Sequence, residues 1–349
     1  MMTNFEDLPN DIIYEILEYL NICDAFEIFF YQNNRFENLF ENIPFLFKFD
    51  LSLVSRKFFH AICYYLFQKN NSRIISIRLS NPLLIDYFFS FYSFQEKLIR
   101  LEFLCFNAID SNERLESLLT NLIVLPHLQS LTIMNHIENT DPSDIYRLIF
   151  GLPFLKSCIL SPKRAHRNMS LSLSKNEFSP IQRFSLNRHC TLNQLIHILS
   201  YLPDLHHLSC LSLSETNQSI VDINNQFPHL THLSVKFWRI SFDTLKYLSS
   251  KYLSQLELLR ISTRADDHYL MAERWEHLIT TEMPKLRVFD FQHYWEPIDN
   301  NHIEQRTYHT LISRFNSIFW TDHQWFFSHQ HFSRGKIRDS IFYSIDPYR

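Results

Sequence analysis

The sequence predicts an α/β fold in which a short strand and a helix recur along most of the chain, behind a small helical N-terminal module and ahead of an aromatic-rich end. Three observations carry that expectation. An apolar triad at relative positions 1, 4 and 6 recurs ten times; a proline stands two residues before position 1 in six of the ten; and stretches between triads carry apolar residues at helical spacing.

The triads are Leu46/Phe49/Leu51, Ile74/Ile77/Leu79, Leu98/Leu101/Phe103, Leu128/Leu131/Ile133, Leu155/Cys158/Leu160, Ile181/Phe184/Leu186, Leu205/Leu208/Cys210, Leu230/Leu233/Val235, Leu256/Leu259/Ile261 and Leu286/Phe289/Phe291. The step from one anchor to the next stays within the narrow range expected of a stacked strand-and-helix unit. In a chain that is 46% hydrophobic such triads arise often by chance, so the prolines decide the matter. Pro44, Pro126, Pro153, Pro203, Pro228 and Pro284 hold the fixed offset, where random placement of 13 prolines gives about 0.4.

Composition excludes several classes. A formal charge of −4 provides no overall basic field for nucleic acid. Only two glycines occur, Gly151 and Gly335, too few for a P-loop, a dinucleotide fingerprint or a nucleophile elbow. Six cysteines without a C-x-x-C pair read as buried hydrophobes of a reducing compartment. The N-terminus lacks the features of a signal peptide, and no apolar run is long enough to span a bilayer. The expectation is a soluble intracellular protein, cytoplasmic or nuclear, with no membrane or nucleic-acid partner.

Residues 8 to 20 predict a helix. Pro9 stands near its first turn beside Asp11, and Ile12, Ile13, Ile16, Leu17 and Leu20 follow at 3.6-residue spacing. A second apolar segment, Ala25 to Phe30, leads to Asn34-Arg35-Phe36-Glu37-Asn38-Leu39. The pattern Leu8-Pro9-x-Asp11-Ile12-x-x-x-Ile16-Leu17-x-x-Leu20, with Asp24 and the later pair Arg35-Phe36, resembles the F-box over roughly residues 5 to 42. The resemblance implies docking to the Skp-type adaptor of a cullin-RING ubiquitin ligase through Leu8, Pro9, Ile12, Ile16, Leu17 and Leu20, about half of them exposed on the free chain. The second half departs from the family, with Phe30-Tyr31 and Phe36 where valine, cysteine and tryptophan are usual. On the residues alone, the rival reading of these helices is a cover over the open end of a repeat array.

From Pro44 onward each triad reads as a strand of five or six residues. Leu115, Leu118, Leu119 and Leu122 form a helical face with Ser111 as candidate cap. Ile145, Leu148, Ile149 and Leu152 repeat that spacing, as do Leu192, Leu195, Ile196 and Leu199 behind a Thr191-x-x-Gln194 capping box. A strand and a helix in each period, with L-x-x-L-x-L at the strand, resembles the leucine-rich repeats of F-box substrate receptors. The implied fold is α/β: an N-terminal small helical F-box (1–43), a leucine-rich-repeat solenoid (44–291) and an aromatic-rich C-terminal cap (292–349). The solenoid is expected as an irregular horseshoe, strands on its concave face and helices on its convex face. Position 9, usually asparagine or cysteine, holds His136, Trp238, Arg264 and Tyr294, so the ladder between turns is expected to be missing or rebuilt. The segment from Cys210 to Pro228 suits a weak helix or a loop. Beyond 292 the period breaks, a helix is expected around Ile303 to Phe315, and Trp295, Trp320 and Trp325 cover the last repeat.

Chemistry is sparse. His329-x-His331 places two imidazoles on one strand face, but no cysteine or acidic residue with ligand spacing sits nearby, so no metal and no cofactor are expected. His206, His207 and His232 lie near Ser209 and Ser234 without a carboxylate to orient them, so no catalytic residue is expected. Positions 3 and 5 of each strand face away from the apolar positions 4 and 6. They are Arg100 and Glu102, Ser130 and Thr132, Arg183 and Ser185, His207 and Ser209, His232 and Ser234, Leu258 and Arg260, Val288 and Asp290. This polar, mixed-charge set suits a protein target, with Arg100, Glu102, Arg183, His207, His232, Arg260 and Asp290 as candidate contacts. The resemblances imply a non-enzymatic substrate-recognition subunit of an SCF-type ligase, reaching cullin through the adaptor and binding an unidentified protein target. The alternative is a protein-binding scaffold of the same architecture without a ligase.

Overall fold

The structure, a computed structural model, describes residues 5–52, 54–82, 85, 98–136, 142–163, 178–215, 227–264, 266–295, 309–334 and 337–345. The chain divides into two units, Met1–Asn168 and Met169–Arg349.

The first unit opens with three short helices, α1 (Asn10–Tyr19), α2 (Ile22–Phe29) and α3 (Asn34–Glu41). Asn21 caps α2 by accepting the Cys23 N–H, and Asn33 caps α3 by accepting from Arg35 and Phe36, which satisfies amides that otherwise lack partners. Five parallel strands follow in chain order: β1 (Phe47–Asp50), β2 (Ile74–Leu79), β3 (Phe103–Asn107), β4 (Ser130–Met134) and β5 (Ser157–Ser161). Between β1 and β2 run α4 (Arg56–Ala61) and a wider π-type helical turn at Ile62–Gln68. Helix α5 (Asn112–Leu122) joins β3 to β4, and α6 (Ser143–Phe150) joins β4 to β5. Ser111 caps α5 through the Arg114 N–H, and Leu115, Leu118, Leu119 and Leu122 are all buried.

In the second unit parallel strands β6 (Arg183–Thr191), β7 (His207–Ser214), β8 (His232–Trp238), β9 (Leu258–Arg264) and β10 (Val288–Trp295) lie side by side. Helix α7 (Leu192–Leu199) follows β6, α8 (Phe242–Tyr252) follows β8 and α9 (Ala272–Glu282) follows β9. The capping box of α7 forms as its sequence predicts: Gln194 N–H donates to Thr191 Oγ1 at 3.3 Å and Thr191 N–H to Gln194 Oε1 at 3.0 Å.

The proline offset has a local cause. In Leu152-Pro153-Phe154-Leu155, Leu202-Pro203-Asp204-Leu205, Phe227-Pro228-His229-Leu230 and Met283-Pro284-Lys285-Leu286 the fourth residue's N–H donates to the first residue's carbonyl. Proline thus occupies the second position of a β-turn, where its fixed φ is already correct and no amide is needed. After the turn, the carbonyl at position 2 accepts two N–H groups from the next strand's entry. Glu102, Gln129, Gln182, His206, Thr231 and Glu257 all do so at 2.8–3.0 Å.

These bonds correct two registers. Ile77 pairs with Leu104 and Leu79 with Phe106, and Leu101 closes its turn on Leu98, so the third anchor is Leu101 rather than Leu98. The run from Leu98 to Phe106 satisfies the triad twice, three residues apart, and no proline marks the turn. With that correction the anchors Ile74, Leu101, Leu128 and Leu155 are evenly spaced. At the first strand Phe47, not Leu46, pairs with Ile74, with an irregularity between Phe47 and Lys48; Phe47 is 5% exposed and Leu46 44%.

The last repeat-like strand runs on to Trp295, past the expected boundary at 291. Beyond it the fold is a hairpin: β12 (Ile337–Ile345) pairs antiparallel with β10, and β11 (Phe326–Arg334) antiparallel with β12. Residues 309–313 are helical, and α10 (Ile318–Asp322) precedes β11; Ile303 to Tyr308, part of the expected helix, lie outside the described residues. Trp320 and Trp325 are buried against Phe289 at ring distances of 5.9 and 5.6 Å, so they do cover the end of the parallel row. The Trp295 side chain and most of the segment from Cys210 to Pro228, residues 216–226, also lie outside the described set.

The core lies between strands and helices. Positions 4 and 6 are almost all buried, and Leu208, Leu233 and Val235 line an apolar cavity with Leu195 of α7 and Leu245 of α8. The six cysteines are buried and form no disulfide, and burial pushes the Cys63 thiol up to about 12.

Candidate docking surfaces

The N-terminal module offers one surface. Helix α1 has two apolar stripes because its apolar residues are too many for one face. Ile13 and Leu17, four apart, turn inward, with Leu17 1% exposed. Ile12 (41%), Tyr19 (85%) and Leu20 (47%) are exposed, Ile16 is half-buried between them, and Pro9 is exposed at the helix start. Of the six residues expected to contact an adaptor, Pro9, Ile12 and Leu20 are therefore at the surface, Leu8 and Ile16 are half-buried, and Leu17 belongs to the core. Tyr19, along with Ile28 on α2 and Tyr31 in the turn before α3, is exposed, and none of the three was among the residues expected to contact an adaptor.

Arg35 fixes the entry to this surface. Its Nε donates to Asn10 Oδ1 at 2.8 Å, and its two Nη groups donate to the carbonyls of Glu6, at 2.6 Å, and Leu8. A planar fork therefore grips three points around Leu8-Pro9 from the first turn of α3. Phe36, the next residue, is buried and stacks with Phe29 and Phe5, which closes the same corner. Tyr14 Oη donates to the Leu39 and Asn42 carbonyls, tying α1 to the end of α3, and burial raises its pKa. Asn70 is buried, donates to the Phe40 carbonyl at 2.8 Å and accepts the Ile43 N–H at 3.1 Å, fastening the module to the first strands.

A second surface is the strand face turned away from the helices. In the second unit Arg183, His207, His232, Leu258 and Val288 pair in one row, and Ser185, Ser209, Ser234, Arg260 and Asp290 in the next. His207 and His232 stack at 4.1 Å, and Arg260 Nε meets Asp290 Oδ2 at 2.7 Å. Burial, and then the nearby His232, Arg183 and His206, hold the His207 pKa below its ordinary value. No carboxylate accepts from either stacked ring among the described contacts. In the first unit Arg100 sits in the turn before β3 and Glu102 just ahead of the strand. Positions 3 and 5 there are Phe103 and Cys105, so Arg100 and Glu102 do not belong to the expected row; the three-residue register error displaced them.

The ladder at the strand ends is rebuilt from other groups. Asn135 Nδ2 donates to Asn107 Oδ1 at 2.7 Å, Thr263 Oγ1 meets buried His293 Nδ1 at 2.8 Å, and the Arg264 guanidinium lies 4.9 Å from the Trp238 ring centre. Glu215 Oε1 accepts the Ser241 N–H and the Thr244 hydroxyl, while Asp266 Oδ2 accepts the Phe242 N–H at 2.7 Å. Carboxylates from two loops thus converge on the N-terminus of α8, where anions are favoured. Finally, the tail brings His309 beside His329 and His331, a third histidine that local spacing had not attached to the pair.

The described residues therefore define a helical module with an exposed apolar stripe, joined to strand-and-helix units of α/β type. Residues 5–28 match the family model of the F-box domain, so the chain carries an F-box at its N-terminal helices. No curated protein matches the chain. No helix among the described residues is long and apolar enough to cross a membrane.

Proposed function

We propose that the chain is the substrate-recognition subunit of an SCF-type ubiquitin ligase, in which the F-box docks to a Skp-type adaptor and the strand-and-helix units, read as leucine-rich repeats, hold a protein target. The observation that carries the reading is the exposed stripe of Ile12, Tyr19 and Leu20, with half-buried Ile16 between them, within the matched F-box segment. A contiguous apolar helix face left uncovered on a free chain suits a partner of complementary apolar surface. The polar rows around Arg183, His207, His232, Arg260 and Asp290 suit a protein or peptide target. The chain supplies no active site; it acts by effective concentration, holding a target near charged ubiquitin.

The test uses the full chain. Wild type captures a purified Skp-type adaptor, and the variant Ile12→Glu/Leu20→Glu does not, while both melt at the same temperature. A core change, Leu17→Ala, costs about 2–4 kcal/mol of stability by leaving a cavity. Equal capture by wild type and the double variant, or capture by neither, overturns the proposal; the latter leaves a binding scaffold without a ligase.

A further inference from the structure

Among the described residues one cluster fits chemistry that docking does not use. Residues 329 and 331 are two apart on β11, so their side chains leave the same face as Phe327, which packs against Phe315 at 5.0 Å and Phe342 at 5.2 Å. The helical residues 309–313, running into Phe315, lie over that face, and His309 reaches the two strand histidines. The three imidazole rings stand 5.0, 5.2 and 5.2 Å apart, centre to centre, and one ring nitrogen from each falls within 4.8 Å of the other two.

We propose that His309, His329 and His331 bind one divalent transition-metal ion of the zinc class, fastening the helical segment 309–313 to the outer strand pair. Three neutral imidazoles are ligands of borderline softness, suited to zinc, cobalt, nickel or copper and unsuited to magnesium or calcium. Zinc–nitrogen bonds of about 2.0–2.1 Å require each ring nitrogen to move inward by only about 1 Å, a ring rotation rather than a backbone change. Water completes the coordination. Ser340 supports the assignment independently: it stands directly across the ladder from His331, is buried, and its hydroxyl bonds His331 Nδ1. In the tautomer whose Nδ1–H donates to that hydroxyl, Nε2 keeps the lone pair an ion takes, an outer-shell bond of the kind that orients metal-binding histidines. Local spacing offered only the pair; the third ligand stands well upstream and arrives by tertiary packing.

The proposal is independent of adaptor binding. Full-length protein carrying no affinity-tag histidines, freed of metal by chelator, is titrated with Zn²⁺ by calorimetry and with Co²⁺ by visible absorption. Wild type takes up one equivalent of Zn²⁺, shows a Co²⁺ ligand-field band and melts at a higher temperature with metal. His309→Ala and His331→Ala lose the equivalent, the band and the thermal shift, whereas His277→Ala on α9 keeps all three. Ser340→Ala weakens binding about 10–100-fold. Circular dichroism in chelator separates loss of a ligand from loss of fold; because His309 is an exposed helical residue, His309→Ala is the deciding variant. Retention of the equivalent by folded His309→Ala, or no uptake by wild type beyond that of a chain lacking all three histidines, overturns the proposal.

Discussion

His293 shows how a single buried group couples this fold to pH. It is wholly buried on β10, bonded to Thr263 and stacked at 6.3 Å on Tyr269, and burial holds its pKa down to about 3. In the unfolded chain the ring titrates near its ordinary 6.5. Between those values the unfolded state binds the extra proton, so stability is full above the unfolded value and falls as the pH drops toward the folded one. The slope approaches about 1.4 kcal/mol per pH unit. Urea midpoints measured from pH 7 to pH 4 decline accordingly, and His293→Gln flattens that decline. Arg35 acts through geometry instead. Arg35→Ala releases Glu6, Leu8 and Asn10 together, costs about 1–3 kcal/mol and weakens adaptor capture; Arg35→Lys fails to restore it, since one ammonium cannot reproduce a planar fork. The pair Arg35-Phe36 is legible in the sequence, but its role is not, because the carbonyls it grips lie 27 and 29 positions away.

At the scale of elements, helix ends and turns were the readable part. Ser111, Thr191 and the prolines act through bonds between near neighbours in the chain, and short-range rules reach that far. The register of β3 was misread because two overlapping triads fit equally well, and the pairing of Ile77 with Leu104 and Leu79 with Phe106 across the sheet distinguishes them. The cap of α8 was invisible for a different reason: Ser241 accepts the Thr244 N–H locally, yet Glu215 and Asp266 come from loops 26 and 24 positions away on either side. Burial acts to raise the Asp266 carboxyl, but hydrogen bonds from Phe242 and His268 outweigh it and hold the group below the usual carboxylate range. Asp266→Ala removes a bonded anion from a helix start and lowers stability by about 1 kcal/mol in chemical denaturation at pH 7. At a pH below the folded carboxyl's own titration, wild type and variant converge, since the protonated group no longer offers the charge.

Across the whole molecule the strands of each unit follow one rule until the final pair. The rule was readable because most strand entries reuse the same turn and the same doubly accepting carbonyl, and positions 4 and 6 stay buried along the row. The histidine cluster and the outward stripe of α1 were only partly readable: pattern places residues on a helix or strand face, and packing of distant segments decides which face is covered. The N-terminal match and the sheet rows thus rest on different kinds of information, the first on a compact local motif and the second on repetition.

The reversal at β12 has a consequence for how such a chain changes length. Glu102, Gln129, Gln182, His206, Thr231 and Glu257 each hand the next strand a position-2 carbonyl aimed at two amides, so a duplicated segment of one full period finds a ready-made socket at any of those strands. An antiparallel neighbour offers no such socket. Gain or loss of whole modules is therefore confined to the interior of the row, and the hairpin serves as its terminator.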